Sequence, residues 1–439
     1  MRLTVWLPLA ALSVIAVCGA ATRPHYGGTL RVETRATPAA FDPTAPMAPL
    51  VFEALVRLDE TGAPQPCLAI SWQHEGASRR WQFNLRPAVK LHDGSPLTAA
   101  AVVSALQAAL PGLAINANGD AVVIRAEHGI SALLLDLAHT AFAGTGPFRL
   151  GAFDAGRRAT FAANEDYWGG RPFLDGIEVQ LGRPLRDQLV DLELGKTDIA
   201  EVAPADLRRA SEHGRAVWSS AAVNLLALEF APGRAHDARL REALALAIDR
   251  AAMHNVLLQK QGEATAALLP QWLSGYAFAF PAKPDLARAQ SLAGSLPAAA
   301  RALTLTYDPA VRAARALAER AAVNARDAGL AVQVAPQNAQ ADVRLIEVRV
   351  RSLDPARALA GLAEALGLEA PPPAATAAAL YASERKLLDG YRVIPLCHLP
   401  DLYGAASRVH IFAAPAITRL GDWRFDNIWL GASPSGTAP

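Results

Sequence analysis

Residues 144–181 read GTGPFRLGAFDAGRRATFAANEDYWGGRPFLDGIEVQL, and residues 195–207 read GKTDIAEVAPADL. The Gly-Thr-Gly-Pro run at 144–147 is typical of a turn, because glycine tolerates positive φ and proline has no N–H to donate to a sheet. Apolar and polar residues then alternate at 148–152 and again from 161, with Asp-Ala-Gly-Arg at 154–157 between them. This pattern predicts a β-hairpin directly after the turn.

A third alternating run at 177–181 is followed by leucines at 185, 189 and 192, which recur at helical spacing. A further short strand is predicted at 198–202. A strand, a helix and a strand in this order predict a parallel pair of strands with a right-handed connection. We therefore expect a mixed sheet covered by helices.

Two helix starts are also indicated by their capping residues. Thr98 precedes the apolar positions of one helix, and Asp237 precedes a longer pattern that runs through Ala251. Threonine and aspartate side chains accept hydrogen bonds from the first free N–H groups of a helix. The pair Asp249-Arg250 within the second pattern is interpreted as lying on the surface or at the end of that helix.

The composition limits the function classes. The chain has 439 residues, enough for two or three domains, and a formal net charge of +1 without a run of Lys or Arg. Nucleic acid or an anionic membrane is therefore not expected as the main partner. The ten histidines are scattered and no Cys/His group has zinc spacing, so we expect neither a metal site nor a cofactor.

The first 21 residues are typical of a secretory signal peptide, with Arg2, an apolar run at 5–17 and small residues before the exit. Export to an extracytoplasmic compartment is expected, with cleavage near Ala20 or Ala21. Alternatively, residues 15–18 partly match a lipoprotein cleavage box, which would leave a lipid on Cys18. The two remaining cysteines, Cys67 and Cys397, either form one disulfide or are two buried thiols.

Six segments, in this order, resemble the extracellular solute-binding proteins of the oligopeptide, dipeptide and nickel class, the family 5 receptors of ABC importers. They are YGGTLRV at 26–32, AFDP at 40–43, FNLRPAVKLHDGSPLTAAAVVSAL at 83–106, the central stretch at 144–207, DARLREALALAIDRAAM at 237–253 and YRVIPLCHLPDLYGAASRV at 391–409. The resemblance extends over nearly the whole chain after the signal peptide.

This resemblance implies an α/β, two-lobed periplasmic-binding-protein fold of class II or cluster C type, with a small accessory domain inserted in lobe I. The expected division is 1–21 signal peptide, 25–50 lobe I, 51–141 small accessory domain, 142–231 lobe I, 232–404 lobe II and 405–439 return to lobe I. Lobe I would thus be built from distant parts of the chain, and the ligand would bind in the cleft between the lobes.

One departure from the family concerns the ligand. Peptide-binding relatives carry a Trp-x-x-Asp-Tyr-Pro-Asp-Pro-like segment whose first Asp meets the ligand's ammonium group. The matching run here is 348–355, in which Arg351 stands at the acidic position. A guanidinium group repels an ammonium group and donates hydrogen bonds to a carboxylate or phosphate. Arg349 and Arg351 therefore favour an anionic or uncharged ligand. Alternatively, both arginines share an exposed strand face with Glu347.

Further ligand contacts are expected from aromatic and loop residues. The candidates are Trp272 and Tyr276 in a glycine-containing loop, Tyr403 after the closing strand and Glu229 at the end of the strand at 224–230. The loop at 44–49 passes close to the ligand in relatives, which adds Met47, although a plain connector also explains that residue.

The expected function is that of an exported receptor that captures a small solute, peptide-like or anionic or uncharged, and delivers it to an ABC permease. We expect a monomer that performs no catalysis. A secreted hydrolase is disfavoured because no G-x-S-x-G or H-E-x-x-H motif is present, and Ser-x-x-Lys at 383–386 lacks its partner motifs. A sensing or scaffolding module derived from such a receptor is the third alternative. The sequence does not name the ligand.

Overall fold

The computed structural model describes residues 23–431 except for 44, 76–78, 111, 126–129, 143, 232–236, 281, 338–339, 375 and 414. The predicted signal peptide and Cys18 lie outside the described residues. No helix in the described part of the chain is long and apolar enough to cross a membrane.

The strands are short, with at most seven residues, except for two that have 15 and 13 residues. They are β1 Thr29–Glu33, β2 Glu53–Ala54, β3 Val56–Leu58, β4 Pro64–Pro66, β5 Ala69–Glu75, β6 Arg80–Leu85, β7 Ala114–Asn118, β8 Ala121–Arg125, β9 Ala141–Phe142, β10 Phe148–Asp154, β11 Arg158–Ala163, β12 Gly176–Gln180, β13 Ile199–Glu201, β14 Ala216–Phe230, β15 Glu263–Ala264, β16 Ala302–Tyr307, β17 Ala331–Pro336, β18 Val343–Arg349, β19 Val393–Ala405, β20 Val409–Ile411 and β21 Ile428–Leu430.

Most of the helices are short. They are α1 Ala99–Ala109, α2 Ile130–His139, α3 Leu185–Glu193, α4 Leu207–Ala210, α5 Ala238–Ala247, α6 Arg250–Ala252, α7 Gln271–Ser274, α8 Leu286–Gly294, α9 Ala314–Asp327, α10 Pro355–Ala365 and α11 Ala377–Leu388. Single helical turns of 3-10 type also occur, among them Ala48–Leu50 and Phe425–Asn427.

One large mixed sheet runs through the described residues. Its strands lie in the order β10-β11-β12-β1-β13-β19-β14-β18-β16-β17, and β15 pairs with β19 beside this path. The long strands β14 and β19 are antiparallel to each other and connect the two halves of the sheet. A second sheet, β5-β6-β8-β7, belongs to the segment that follows β4 in the chain.

The predicted hairpin is confirmed, because β10 pairs with β11 in antiparallel register from Phe148 opposite Ala163. The two strands that flank α3 are parallel, as predicted, but they are not adjacent. β1, from near the N-terminus, lies between β12 and β13 and is parallel to both. Leu30 and Val32, the apolar residues of β1, are both buried, as expected for a strand inside the sheet.

Both predicted helix caps are confirmed. The Thr98 side chain accepts a hydrogen bond from the N–H of Ala101, and Asp237 accepts one from Arg239. The second helix is shorter than predicted, because α5 ends at Ala247 and Ile248 is extended. Asp249 then caps the separate turn α6 by accepting from the N–H of Ala252.

Several sets of buried apolar residues stabilise different regions. One combines Leu30 near the N-terminus, Phe148 and Ile177 of the central stretch, and Trp423 and Phe425 near the C-terminus. A second lies within residues 55–137, and includes the stacked rings of Trp81 and Phe83. Two further sets pack on opposite faces of β14, β18 and β19, one with Leu226 and Leu345 and the other with Leu225 and Val350.

Cys67 and Cys397 are both buried free thiols. Cys67 belongs to the apolar set within residues 55–137, whereas Cys397 on β19 packs with residues such as Leu396 and Leu399. Burial raises the pKa of each thiol to about 12. Of the two alternatives for these cysteines, the structure therefore has two buried thiols.

Candidate functional site

A cavity of about 480 Å³ lies where four segments of the chain meet, at 43–60, 138–141, 349–353 and 418–426. These segments belong to the N-terminal region, the end of α2, the end of β18 and the connection between β20 and β21. The cavity therefore lies between parts of the fold that are far apart in sequence.

The ionisable side chains of the wall carry both signs of charge. Five are carboxylates and five are guanidinium groups, namely Glu53, Asp59, Glu60, Asp422 and Asp426, and Arg57, Arg349, Arg351, Arg419 and Arg424, with His139 beside them. Apolar atoms contribute as well, for example from Phe52, Leu353 and Trp423. The formal charge of the wall is therefore balanced when its histidine is neutral.

Arg349 lines the cavity but is already engaged by the protein. It is the last residue of β18, and its Nη1 lies 2.7 Å from Oδ2 of Asp401 on β19. Its Nη2 donates to the carbonyl oxygen of Leu420. Burial by itself would raise the pKa of Asp401, but Arg349 and Arg312 outweigh it and hold that pKa below its usual value. Arg349 thus acts chiefly as a partner of Asp401.

Asp401 is also part of a chain of ion pairs along the middle of the sheet. Arg312 lies 3.3 Å from Asp401 and 2.9 Å from Glu347 on β18. Arg35, just after β1, lies 2.9 Å from Glu347 and 3.2 Å from Glu201 on β13. Glu347 and Arg349 are largely buried and are held by other partners, so the alternative of an exposed strand face shared by Arg349, Arg351 and Glu347 is wrong.

Arg351 is exposed and lines the cavity two residues beyond β18. The carboxyl group of Asp422 interacts electrostatically with Arg351 and with Arg349. Burial raises the pKa of Asp422, and the two arginines partly oppose this shift. Arg351 and Asp422 therefore both line the cavity and interact electrostatically.

Asp422 is held by a tight turn. The N–H of Asp422 donates to Oγ1 of Thr418, and the N–H of Thr418 donates to the carbonyl oxygen of Asp422. Gly421 within this turn has φ +86°, and a Cβ at this position would meet Asp401 and Arg349. The turn therefore sits directly on the Arg349–Asp401 pair, and a side chain at position 421 would have to displace these two charged groups.

Arg419, the next residue after Thr418, joins this turn to two other regions. Its N–H donates to Glu60 at 3.0 Å, and its guanidinium group lies 4.4 Å from the ring centroid of Trp272. The predicted contact residue Trp272 thus stacks on a cavity residue without lining the cavity. The indole N–H of Trp272 donates to the carbonyl oxygen of Ala222.

Tyr276 and Tyr403 lie outside the cavity wall. The hydroxyl of Tyr276 donates to the buried carboxylate of Glu384, which also accepts the N–H groups of Leu268 and Leu269. Tyr403 is buried, and its hydroxyl accepts a hydrogen bond of 3.2 Å from the indole N–H of the cavity residue Trp423. Both tyrosines therefore support loops and strands around the site.

Glu229 and Met47 also lie away from the cavity surface. The carboxylate of Glu229, near the end of β14, pairs with Arg344 at 2.9 Å. Met47 is buried among the apolar residues of the N-terminal region, next to residues that do line the cavity. Of the seven predicted site residues, the structure brings only Arg349 and Arg351 to the wall of this cavity.

Of the two positions expected for the Asp249-Arg250 pair, the structure has the helix end, because α5 ends at Ala247 and Asp249 caps α6, and it buries Arg250. Arg250 is 2% exposed, its Nε donates to the carbonyl oxygen of Pro395 at 2.8 Å, and it lies over the ring of Phe280. Burial lowers the pKa of its guanidinium group to about 10. The sequence pattern missed this because the helix stops at Ala247, which turns the following residues inwards.

Glu53 is a cavity residue that the sequence reasoning did not identify. The hydroxyl of Tyr167 donates to its Oε1 at 3.0 Å and the indole N–H of Trp168 to its Oε2 at 2.8 Å. Burial raises the pKa of Glu53, and these donors partly oppose the shift. The Tyr167-Trp168 pair is apparent in the sequence, but Glu53, which accepts its hydrogen bonds, lies more than a hundred residues earlier.

Comparison with known proteins identifies the family. The model of the bacterial extracellular solute-binding proteins, family 5 (middle), matches residues 63–114 and 136–361, more than half of the chain. The probable D,D-dipeptide-binding periplasmic protein DdpA of Escherichia coli is 25% identical, with 48% of each chain covered. The nickel-binding protein NikA of Staphylococcus aureus is 24% identical, with 45% of each covered. The chain thus spans about half the length of the curated relatives it matches.

Solved structures support the same fold. The oligopeptide-binding protein AppA of Bacillus subtilis, in complex with a nonapeptide, matches with a TM-score of 0.77 at 15% identity, over 93% of this chain and all of AppA. NikA of S. aureus with Ni(L-His)₂ matches with a TM-score of 0.79 at 15% identity, over 92% of this chain and 99% of NikA. The predicted periplasmic-binding-protein fold is confirmed, and the chain belongs to the bacterial extracellular solute-binding proteins of family 5.

Proposed function

We propose that this protein captures a small polar solute in the cavity between residues 43–60, 138–141, 349–353 and 418–426 and delivers it to an ABC permease. The observation that carries the proposal is the cavity itself. Its volume of about 480 Å³ lies within the range of about 300–1,000 Å³ that is usual for small-molecule sites. Its wall combines apolar surface with charged groups that can orient a ligand.

Solutes differ widely among the relatives. The names of the matching proteins refer to D,D-dipeptides, nickel and oligopeptides, and a further solved neighbour binds mannopinic acid. Family membership supports solute binding without conversion, and the residues of this chain must select the solute. The arginines at 349 and 351 support a solute with an anionic group, as the sequence comparison predicts, but only Arg351 is exposed in the wall.

We also propose that the protein is exported and works outside the cytoplasm as a monomer. The family's description as extracellular supports this placement. The separate apolar cores support the predicted division into lobe I, a small accessory domain at 51–141 and lobe II. β14 and β19, which cross between the halves of the sheet, would then serve as the hinge.

The proposal is tested by a thermal-shift screen of small solutes, followed by calorimetry with the solutes that raise the Tm. A ligand at 100 times its Kd stabilises the folded state by about 2.7 kcal/mol, which gives a measurable shift. Mass spectrometry of the same mixtures should recover each ligand unchanged. Chemical conversion of a ligand would contradict the proposal in favour of a hydrolase, and a complete absence of binding would contradict it in favour of a module without transport.

A further inference from the structure

An ion pair beside the cavity joins two helices that are far apart in the chain. Nη1 of Arg357 on α10 lies 2.5 Å from Oδ1 of Asp136 on α2. His139, the last residue of α2, and Leu353, just before α10, both line the cavity. The pair therefore connects two helices whose ends contribute to the cavity wall.

The two helices belong to different apolar cores. Leu137 of α2 packs in the core within residues 55–137, whereas Leu359 of α10 packs in the core that contains Val350. The side chains of Arg357 and Asp136 are 34% and 31% exposed. Water can therefore replace the partner of each charge, and the pair can open without disrupting either core.

The segment at 51–141 is bonded on its other side to residues of the proposed lobe I. Glu53 accepts hydrogen bonds from Tyr167 and Trp168, and the Nε2–H of His92 donates to the carbonyl oxygen of Gly146 at 3.0 Å. These partners all lie within residues 142–231. If the lobes rotate about β14 and β19, we expect the segment to move with lobe I, so that the contact between α2 and α10 separates.

We propose that the Asp136–Arg357 pair is a latch that holds the proposed accessory domain against lobe II and controls access to the cavity. This assignment rests on the proposed function and adds regulation to the same cavity. A partly exposed ion pair contributes little free energy, so the latch shifts the balance between closed and open forms and does not lock the cavity. Salt should weaken the latch, because exposed charges are screened.

Cys67 provides a probe of access that needs no solute. Its buried thiol lines the cavity, whereas the thiol of Cys397 is buried on β19 outside the cavity wall. Methyl methanethiosulfonate is a small uncharged reagent that modifies free thiols once they are accessible. Mass spectrometry of the peptides that contain each cysteine gives both labelling rates in the same sample. The rate at Cys67 reports opening of the cavity, and the rate at Cys397 reports unfolding.

Two variants remove opposite charges and should have the same effect. Asp136→Asn and Arg357→Gln should each raise the labelling rate of Cys67 about 2- to 5-fold, while the rate at Cys397 stays unchanged. A shift in the pKa of Cys67 would instead move the rates of the two variants in opposite directions. About 0.5 M KCl should speed labelling in the wild type and leave the variants nearly unchanged. Asp136→Asn should have no further effect when Arg357→Gln is already present.

Asp154→Asn is the matched control. It breaks an exposed pair with Arg157 away from the cavity and should change neither rate. If neither variant nor salt changes the rate at Cys67, the latch is overturned, whether or not a solute binds. A rise of the same size at Cys397 also overturns it, because the variants then act by unfolding the protein. If the latch variants respond as expected but no solute in the thermal-shift screen binds, the proposed function fails, and the control of access to the cavity still holds.

Discussion

Arg349 and Asp401 form an ion pair of 2.7 Å that joins the end of β18 to β19 beneath the cavity wall. The pair is not visible as a sequence motif, since 52 positions separate its members and each lies on a different strand. It places a carboxylate under one of the arginines that were expected to bind the ligand. Its energetic role can be separated from ligand binding by substitution.

Asp401→Asn should destabilise the fold by about 3–5 kcal/mol, because it leaves Arg349 and the buried Arg312 without part of their counter-charge. The free energy of unfolding in urea measures this loss. Asp154→Asn is the matched control, since Asp154 pairs with Arg157 at the exposed tip of a hairpin and should change stability by no more than about 1 kcal/mol. Equal effects of the two substitutions would contradict a structural role for Asp401.

Gly421→Ala should cost more than the same substitution at Gly94. Both glycines have nearly the same positive φ, +86° and +87°, but a Cβ at Gly94 meets nothing within 4 Å, whereas one at Gly421 meets Asp401 and Arg349. The conformational cost of about 1 kcal/mol should therefore appear in both variants. Urea unfolding should show a clearly larger loss for Gly421→Ala, and similar losses would mean that the turn moves away freely.

The buried His398 on β19 should make stability depend on pH. It is 0% exposed, its Nε2–H donates to the carbonyl oxygen of Leu268 at 2.8 Å, and burial lowers its pKa to about 4. In the unfolded chain its pKa is about 6.5, so between these values the unfolded state binds more protons. The contribution of His398 is therefore complete above about pH 6.5 and is lost as the pH falls towards 4, on the order of 3 kcal/mol in total.

The measurement is the difference in unfolding free energy between wild type and His398→Gln at a series of pH values. This difference isolates the histidine from buried carboxyl groups such as Glu263, whose Oε1 lies 4.0 Å from Nδ1 of His398 and whose pKa is raised by burial. The difference should shrink as the pH falls from 6.5 to 4. A difference that stays constant over this range would show that His398 titrates as in the unfolded chain.

Tyr276→Phe should distinguish a structural from a ligand-binding role for this residue. The substitution removes one hydrogen bond to Glu384 and should cost about 1 kcal/mol of stability. It should not weaken the binding of any ligand. Glu384→Ala removes the acceptor of Tyr276 and of the N–H groups of Leu268 and Leu269, and should cost several times more. A specific loss of ligand affinity in Tyr276→Phe would instead return Tyr276 to the binding site.

The local patterns of the sequence were enough to predict the hairpin β10–β11, the caps at Thr98 and Asp237 and the family. Turn residues, capping side chains and alternation act over a few positions, so they can be read directly from the chain. The arginine at 351, which departs from the family pattern, also pointed to the segment that forms one wall of the cavity. The role of that arginine in binding stays a prediction.

Tertiary structure alone decided which distant residues meet. Only pairing across the sheet inserts β1 between β12 and β13, and only packing removes Glu229, Tyr276 and Tyr403 from the cavity wall. The tertiary structure also decided the charge environment of Arg349. The sequence predicts that Arg349 attracts an anion, but in the folded protein Asp401 lies 2.7 Å away and pairs with it. The physical reason is that the partner of a buried charge is set by the folded arrangement of strands, and no periodicity along the chain records it.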